Sequence, residues 1–204
     1  MNLKKAYIIV FLVLLIDQLS KIYVKTHFKL HDGIPVFSWF KILFIENEGM
    51  AWGVEIPGVY GKLSLTLFRI IAVGGIGYWL WDSVKKHSPS ILIIAIALIL
   101  AGAFGNIIDS VIYGRIFNDS NFEVATLLSD KPYGDLFYGK VVDMFYFPII
   151  EDYPMPSWVP FIGGKPFTFF NAIFNVADFA ISTGVGILIV FNKKAFSVVE
   201  KNDL

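Results

Sequence analysis

Four apolar runs, each long enough to cross a bilayer, restrict this chain to the folds of polytopic membrane proteins. The runs cover residues 6–24, 63–81, 90–108 and 172–191. A run of about 19 residues forms a helix of about 28 Å, close to the thickness of the hydrocarbon core. With 56% hydrophobic residues, the chain is also too apolar for an ordinary soluble domain. We therefore predict an all-α membrane protein with four transmembrane helices.

Two polar segments, residues 25–62 and 109–170, interrupt the runs. The first has β-formers at 36–45 and a turn-like Asn-Glu-Gly at 47–49, which predicts short strands or a hairpin at the membrane surface. The second is rich in proline, glycine and aromatic residues, which predicts a folded elaboration or a loop outside the membrane. No length is left for a second domain, so residues 1–204 are interpreted as a single membrane-embedded domain.

Lysine pairs near the ends of the runs predict the orientation: Lys4 and Lys5, Lys85 and Lys86, and Lys193 and Lys194. With four spans all three pairs fall on one side, which the positive-inside rule makes cytoplasmic. Both termini are then predicted to face the cytoplasm, with the two polar segments on the outer face. Lysines 25, 29, 41 and 62 lie on that outer side and weaken the asymmetry.

Several kinds of site find little support in the sequence. The formal net charge of zero gives no electrostatic basis for a nucleic-acid partner. The absence of cysteine excludes disulfides, thiol nucleophiles and thiolate metal sites. The histidines, at 27, 31 and 87, lack the spacing of a zinc protease, and neither Ser110 nor Ser182 has a histidine or lysine at catalytic spacing.

Asp178 lies inside the fourth apolar run, in the sequence Phe-Asn-Val-Ala-Asp. A carboxylate at membrane depth is costly, which makes the residue a functional candidate. If the run is one helix, a polar stripe follows it, formed by Asn171, Asn175, Asp178 and Ser182. The best candidate to meet this stripe is Asp143, which sits in the apolar strip 141–145.

Two aspartates that face each other have the groups needed to hydrolyse an amide bond. Like charges a few ångströms apart cannot both ionise cheaply, so the pair holds one proton. The ionised member takes a proton from water while the protonated member donates to the scissile carbonyl. The structural alternative is that Asp178 pairs with Arg69 or Lys21 to hold helices together. Spacing alone leaves both interpretations open.

Two further polar pairs lie near the outer ends of the spans. Asp17 and Lys21 have the spacing of an intrahelical ion pair, which predicts a self-neutralising anchor, with a lipid headgroup or substrate contact as the alternative. Asn106 and Asp109 share the glycine-bearing face of the third run. Asp109 is therefore either a third candidate for the dyad or a brace for the loop that follows.

Five blocks of the sequence resemble the lipoprotein signal peptidases, also called signal peptidase II, which are membrane aspartyl peptidases of bacteria. The blocks are residues 17–21, 47–53, 101–109, 141–144 and 174–178. They occur in the family's order and extend over most of the chain. Each block alone would be a weak signal, but together they are highly specific.

The resemblance implies that Asp143 and Asp178 are the catalytic pair. It also implies a set of residues that shape the site or position substrate: Asp17, Gln18, Lys21, Asn47, Gly49, Asn106, Asp109 and Asn175. The fold it implies has four transmembrane helices, an outer β-cradle and a further helix over the site. The implied substrate is the signal peptide of a diacylglyceryl-modified prolipoprotein in the inner membrane, cut just before the lipidated cysteine, with no metal or organic cofactor.

The chain departs from the family pattern in two places. Ser110 stands where the family usually has arginine, so a positive charge is missing or comes from Arg69 or Arg115. Residues 115–140 look like an insertion. Two alternatives to a peptidase are a proton- or ion-coupled transporter and a structural scaffold. The transporter is disfavoured because the polar residues of the spans cluster at one membrane face.

Overall fold

Long apolar helices form the body of the protein. The computed structural model describes residues 1–48 and 60–197. Its helices are α1 (Leu3–His27), α2 (Gly61–Lys85), α3 (Ser90–Ile108), α4 (Gly114–Ile116), α5 (Val176–Val190) and α6 (Asn192–Ala195). A π-helical turn, Asp109–Tyr113, joins α3 to α4. Helices α1 and α2 extend at both ends beyond the predicted runs, because the helical backbone continues through the polar residues that flank them.

Within residues 1–48 and 60–197, three helical segments are long and apolar enough to cross a membrane: Leu3–His27, Gly61–Lys85 and Ser90–Ile116. The fourth apolar run forms only the 15-residue helix α5. At 1.5 Å per residue this helix is about 22 Å long, which is shorter than a typical hydrocarbon core. The structure therefore supports three of the spans by length, and a count of four stays a prediction.

The prediction of one helix over residues 172–191 was wrong at its beginning. Asn175 has an extended backbone and caps α5, and the two residues before it form a strand. The Asn175 side chain accepts a hydrogen bond from the Asp178 backbone N at 2.9 Å, and the Asp178 carboxylate accepts one from the Asn175 backbone N at 3.4 Å. This reciprocal capping box sets the N-terminal boundary of α5 at Asn175. Asn171 therefore does not continue a helical polar stripe.

Two antiparallel sheets are present in the part of the chain that the structure describes, so the all-α class is not confirmed. The larger has the order β1 (Gly33–Phe37), β2 (Phe40–Asn47), β3 (Val141–Tyr146) and β6 (Ile173–Phe174), and the smaller pairs β4 (Ile150–Pro154) with β5 (Pro166–Phe169). The hairpin expected around 36–45 is confirmed as β1 and β2. Side chains alternate along β3, so Val142 and Met144 face one side and Asp143 faces the other.

The described residues form two apolar cores. One lies between the helices and contains Ala6, Ile93, Ile96 and Ala97. The other lies beneath the larger sheet and contains Val24, Phe44, Tyr113, Phe117, Ala125, Val142 and Met144. Phe117 and Ala125 belong to the segment interpreted as an insertion, so this segment contributes to the core that supports β3.

A buried lysine ties the insertion to the rest of the protein. The Lys25 ammonium forms an ion pair with Glu46 and donates to the Ser120 hydroxyl at 2.8 Å. The rings of Phe117 and Tyr133 lie within 5.2 Å and 4.9 Å of the same ammonium. The segment 115–140 thereby joins the end of α1 to β2, the strand that carries Asn47.

Candidate active site

Asp143 and Asp178 reach one polar cluster from different elements. Asp143 lies on β3 and Asp178 in the first turn of α5. The Asn175 side-chain amide donates to Asp143 Oδ1 at 2.7 Å, while its carbonyl oxygen caps Asp178. The Asn106 amide donates to Asp178 Oδ1 at 2.8 Å. Two asparagines therefore join the pair of aspartates that the resemblance selects.

The two carboxyl groups differ in environment. Asp143 is only 2% exposed, and its burial, with the nearby charge of Asp178, raises the pKa of its carboxyl to about 7. The Lys21 ammonium and the hydrogen bonds from Asn47 and Asn175 act in the opposite direction. Asp178 is half-buried and lies in the first turn of α5. The environment of Asp143 therefore favours its neutral form.

Lys21 is the buried centre of the adjoining network. Its ammonium lies 3.0 Å from Asp17 Oδ2 and 2.8 Å from Asp109 Oδ2, and it donates to Asn106 Oδ1 at 2.9 Å. These contacts use all three of its donors. The predicted Asp17–Lys21 ion pair is confirmed, with Asp109 as a second partner. Among the described residues, Asp178 has no ion pair with either Lys21 or Arg69.

Asp17 and Asp109 each hold the backbone next to a member of the aspartate pair. Asp17 Oδ1 accepts a hydrogen bond from the backbone N of Ala177 at 2.9 Å. Asp109 Oδ2 accepts one from the backbone N of Val142 at 3.3 Å. Because Ala177 precedes Asp178 and Val142 precedes Asp143, the Lys21 network sets the position of both elements. These contacts are those of a brace, which was one of the two interpretations of Asp109.

Gln18 connects the two acidic residues of this network. Its amide donates to Asp17 Oδ2 at 3.0 Å and to Asp109 Oδ1 at 2.9 Å. Its carbonyl oxygen accepts from the Tyr113 hydroxyl at 3.1 Å. Tyr113 was missed by the sequence analysis, since nothing in its local sequence indicates that the π-helical turn directs it toward α1. Turns of this kind are frequent at functional sites.

Asn47 approaches Asp143 from β2 and donates to its Oδ2 atom. Two ion pairs flank Asn47 in the chain, Glu46 with Lys25 and Glu48 with Lys62. They attach the end of β2 to α1 and α2, which fixes the approach of the amide. Gly49, the other residue predicted in this block, lies outside the described residues.

Position 110, where the family pattern predicts an arginine, is occupied by the uncharged Ser110. Ser110 is buried, and its hydroxyl donates to the backbone oxygen of Asn106 at 2.9 Å. Of the two suggested substitutes, Arg115 is exposed, whereas Arg69 is half-buried and interacts electrostatically with Asp178. In the described parts of the chain, no three His, Cys, Asp or Glu side chains are arranged to hold a metal ion.

Gly105 permits the close approach of α3 to the Lys21 network. A Cβ atom there would lie 2.6 Å from Asp17 Oδ2 and 3.3 Å from the Ala177 Cβ. Gly105→Ala should displace both groups and lower kcat about 100-fold, the cost of a misplacement of about 1 Å. Steady-state kinetics and thermal unfolding check this expectation.

Gly75→Ala is the matched control for that substitution, because nothing lies within 4 Å of a Cβ at Gly75. Alanine is the better helix former, so the control should unfold at the same or a higher temperature with unchanged activity. Wild-type kinetics in Gly105→Ala would contradict the proposed role of the close approach.

The apolar helices and the acidic cluster at one end of them define a polytopic membrane protein with a polar site. A family model described as signal peptidase (SPase) II, Peptidase_A8, matches residues 9–193. A lipoprotein signal peptidase of Porphyromonas gingivalis is 45% identical over 193 residues, covering 94% of this chain and 84% of the relative. One from Amoebophilus asiaticus is 38% identical over 200 residues, covering 94% of this chain and 78% of the relative.

A solved structure has the same fold at low sequence identity. It is described as a bacterial membrane enzyme determined by the in meso method, and it matches with a TM-score of 0.65 and 23% identity. The match covers 99% of this chain and 95% of the other. On the family model and the relatives, the chain belongs to the signal peptidase II family. The predictions of this family and of an aspartic peptidase are confirmed.

Proposed function

We propose that the chain cleaves the signal peptides of diacylglyceryl-modified prolipoproteins through Asp143 and Asp178. The observation that carries this proposal is the shared contact of both aspartates with Asn175. The relatives named as lipoprotein signal peptidases support the substrate class. Membership of a peptidase family favours cleavage over the transporter and scaffold alternatives.

In this mechanism Asp178 is the base and Asp143 the acid. Asp178 takes a proton from a water molecule, whose oxygen bonds to the scissile carbonyl carbon. Asp143 donates its proton to the carbonyl oxygen. When the tetrahedral intermediate collapses, the C–N bond breaks, Asp178 passes its proton to the leaving amine, and the proton on oxygen returns to Asp143. The half-exposed position of Asp178 suits a group that meets water, and the burial of Asp143 suits one that stays protonated.

The other predicted site residues act on the aspartates in this proposal. Asn47, Asn106 and Asn175 orient the carboxyl groups by hydrogen bonds. Lys21, Asp17, Gln18 and Asp109 hold the backbone on which the aspartates sit. No step requires a metal ion or an organic cofactor.

The proposed setting is the bacterial inner membrane, with four spans, cytoplasmic termini and the site near the outer face. The lysine pairs at the termini and after α2 support this orientation. The lipid of the substrate then stays in the outer leaflet. Burial of acyl chains contributes about 0.8 kcal/mol per methylene, so the bilayer itself keeps substrate near the enzyme. In this setting residues 1–204 work as one domain.

Cleavage by the purified protein tests the function. The substrate is a signal peptide with a diacylglyceryl-cysteine, and the comparator is the same peptide with an unmodified cysteine. Mass spectrometry should show a new amino terminus on the lipidated cysteine and much slower cleavage of the comparator. Absence of any cut by wild type, in a sample with a cooperative unfolding transition, would refute the proposal.

The pH profile should follow the protonation of Asp143. Its raised pKa means that the acid is present below about pH 7 and is lost as the pH rises through that value. We therefore expect kcat/KM to fall on the alkaline side near pH 7. The falling limb reports the pair of carboxyl groups that titrate together.

Asn47→Ala should move this limb, because the Asn47 amide stabilises the ionised form of Asp143 and keeps its pKa from rising further. Its loss should shift the alkaline limb to higher pH while lowering the maximal rate. Asn118→Ala is the matched control, since Asn118 bonds Glu123 at the exposed surface. A limb that stays in place or moves to lower pH in Asn47→Ala would contradict the assignment of the acid.

A further inference from the structure

Arg69 lies on the face of α2 that is turned toward the rest of the protein. The residues at one-turn spacing on either side define this face. Thr66 is buried and donates to the backbone oxygen of Phe137 at 3.3 Å, and Lys62 pairs with Glu48. On the other side, Val73 packs against the core between the helices. Because these positions share one face of α2 with Arg69, Arg69 also lies on the face turned toward the rest of the protein.

The Arg69 guanidinium has no partner of its own among the described residues. It is half-buried, yet it forms no hydrogen bond and no ion pair with any of them. A guanidinium carries five donors and stays charged, so leaving it unpaired in a partly buried position costs stability. By contrast, the inward-facing lysines Lys21, Lys25 and Lys62 each have a carboxylate partner.

The charge of Arg69 acts on Asp178. The two side chains lie close enough to attract each other electrostatically but form no ion pair. Asp178 is also the member of the aspartate pair that the proposed mechanism brings to water and substrate. The unpaired guanidinium therefore lies within electrostatic reach of the carboxylate that meets water and substrate in the proposed mechanism.

We propose that Arg69 binds substrate, by donating hydrogen bonds to a carbonyl oxygen next to Asp178. This inference rests on the proposed peptidase function. Two carbonyls have this chemistry, the scissile peptide carbonyl and the ester carbonyl of the diacylglyceryl group. At the peptide carbonyl, the guanidinium stabilises the negative charge that develops on oxygen as water attacks.

The test compares wild type with Arg69→Gln and Arg69→Lys, in full-length protein, on two lipopeptides. One carries the diacyl lipid, and the other a dialkyl ether lipid without ester carbonyls. Arg69→Gln should lower kcat about 100-fold or more on both substrates if the peptide carbonyl is bound, as expected for loss of one oxyanion donor. If the ester carbonyl is bound, KM rises on the diacyl substrate alone. The activity of Arg69→Lys should lie between those of wild type and Arg69→Gln, because lysine keeps the charge but lacks the planar, forked guanidinium.

Thermal unfolding separates this role from a structural one. Removal of an unpaired, half-buried cation should leave the unfolding temperature unchanged or higher, whereas loss of a structural contact would lower it. Arg115→Gln, which removes the exposed arginine, is the matched control and should behave as wild type. The inference is overturned if Arg69→Gln cleaves both substrates at rates within threefold of wild type, or if its activity falls only with its unfolding temperature. Failure of wild type to cut either substrate would instead refute the peptidase function itself.

Discussion

Asp143→Asn and Asp178→Asn should each lower kcat by about 10⁴-fold, the upper end of what a positioned general acid or base contributes. An asparagine at 143 has no acid proton for the carbonyl oxygen, and one at 178 cannot accept a proton from water. Both substitutions keep the shape of the side chain, so the fold should persist. Single-turnover cleavage and thermal unfolding of the same samples measure the two effects.

Asp130→Asn is the control for that experiment, because Asp130 is an exposed aspartate outside the site. It should cleave as wild type does. Activity within tenfold of wild type in either Asp143→Asn or Asp178→Asn would remove that residue from the proposed pair, and Asp109 would be tested next.

Lys21→Met should destabilise the protein by about 3–5 kcal/mol, the cost of leaving buried charges without their partner. Asp17 and Asp109, which are both fully buried, would lose the one cation that pairs with them in the described part of the chain. The residues just before Asp143 and Asp178 depend on these two carboxylates, so activity should fall with stability. Thermal or denaturant unfolding in detergent gives the loss of unfolding free energy.

Lys41→Met provides the control, since the Lys41–Glu151 pair is exposed and should contribute less than about 1 kcal/mol. Lys21→Met combined with Asp109→Asn should recover part of the stability, because one uncompensated charge is removed with the lysine. If Lys21→Met alone unfolds like wild type, or the double variant is less stable than the single, the network does not hold the site as proposed.

The residues of the site were visible in the sequence because membrane segments tolerate so few polar groups. Four polar residues interrupt the apolar runs: Asp17, Lys21, Asn106 and Asp178. Because burial of a polar side chain in a membrane is costly, each of them was expected to have a partner. Their pairing was less visible. The Asp17–Lys21 contact follows from helical spacing, but the contacts of Lys21 with Asp109 and Asn106 join residues that are far apart in the chain.

The beginning of α5 shows where reading by hydropathy fails. An apolar strand and an apolar helix have the same mean hydropathy, so the hydropathy of residues 172–191 does not show where the strand ends and the helix begins. The boundary came from the capping box of Asn175 and Asp178, a motif of side-chain hydrogen bonds. The segment 115–140 is a similar case. It is held by contacts of Lys25 with Glu46 and Ser120, which join residues that are far apart in the chain.

The membrane class, the apolar helices, the hairpin of β1 and β2, and the family could all be predicted from the sequence. These depend on local composition, on periodicity and on short blocks of residues. Long-range contacts were needed to show which polar residues meet, which of the two aspartates is the more buried, and that Arg69 has no ion-pair partner among the described residues. Burial and electrostatic contact depend on side chains brought together from α1, α3, β3 and α5, and no local pattern in the chain encodes those distances.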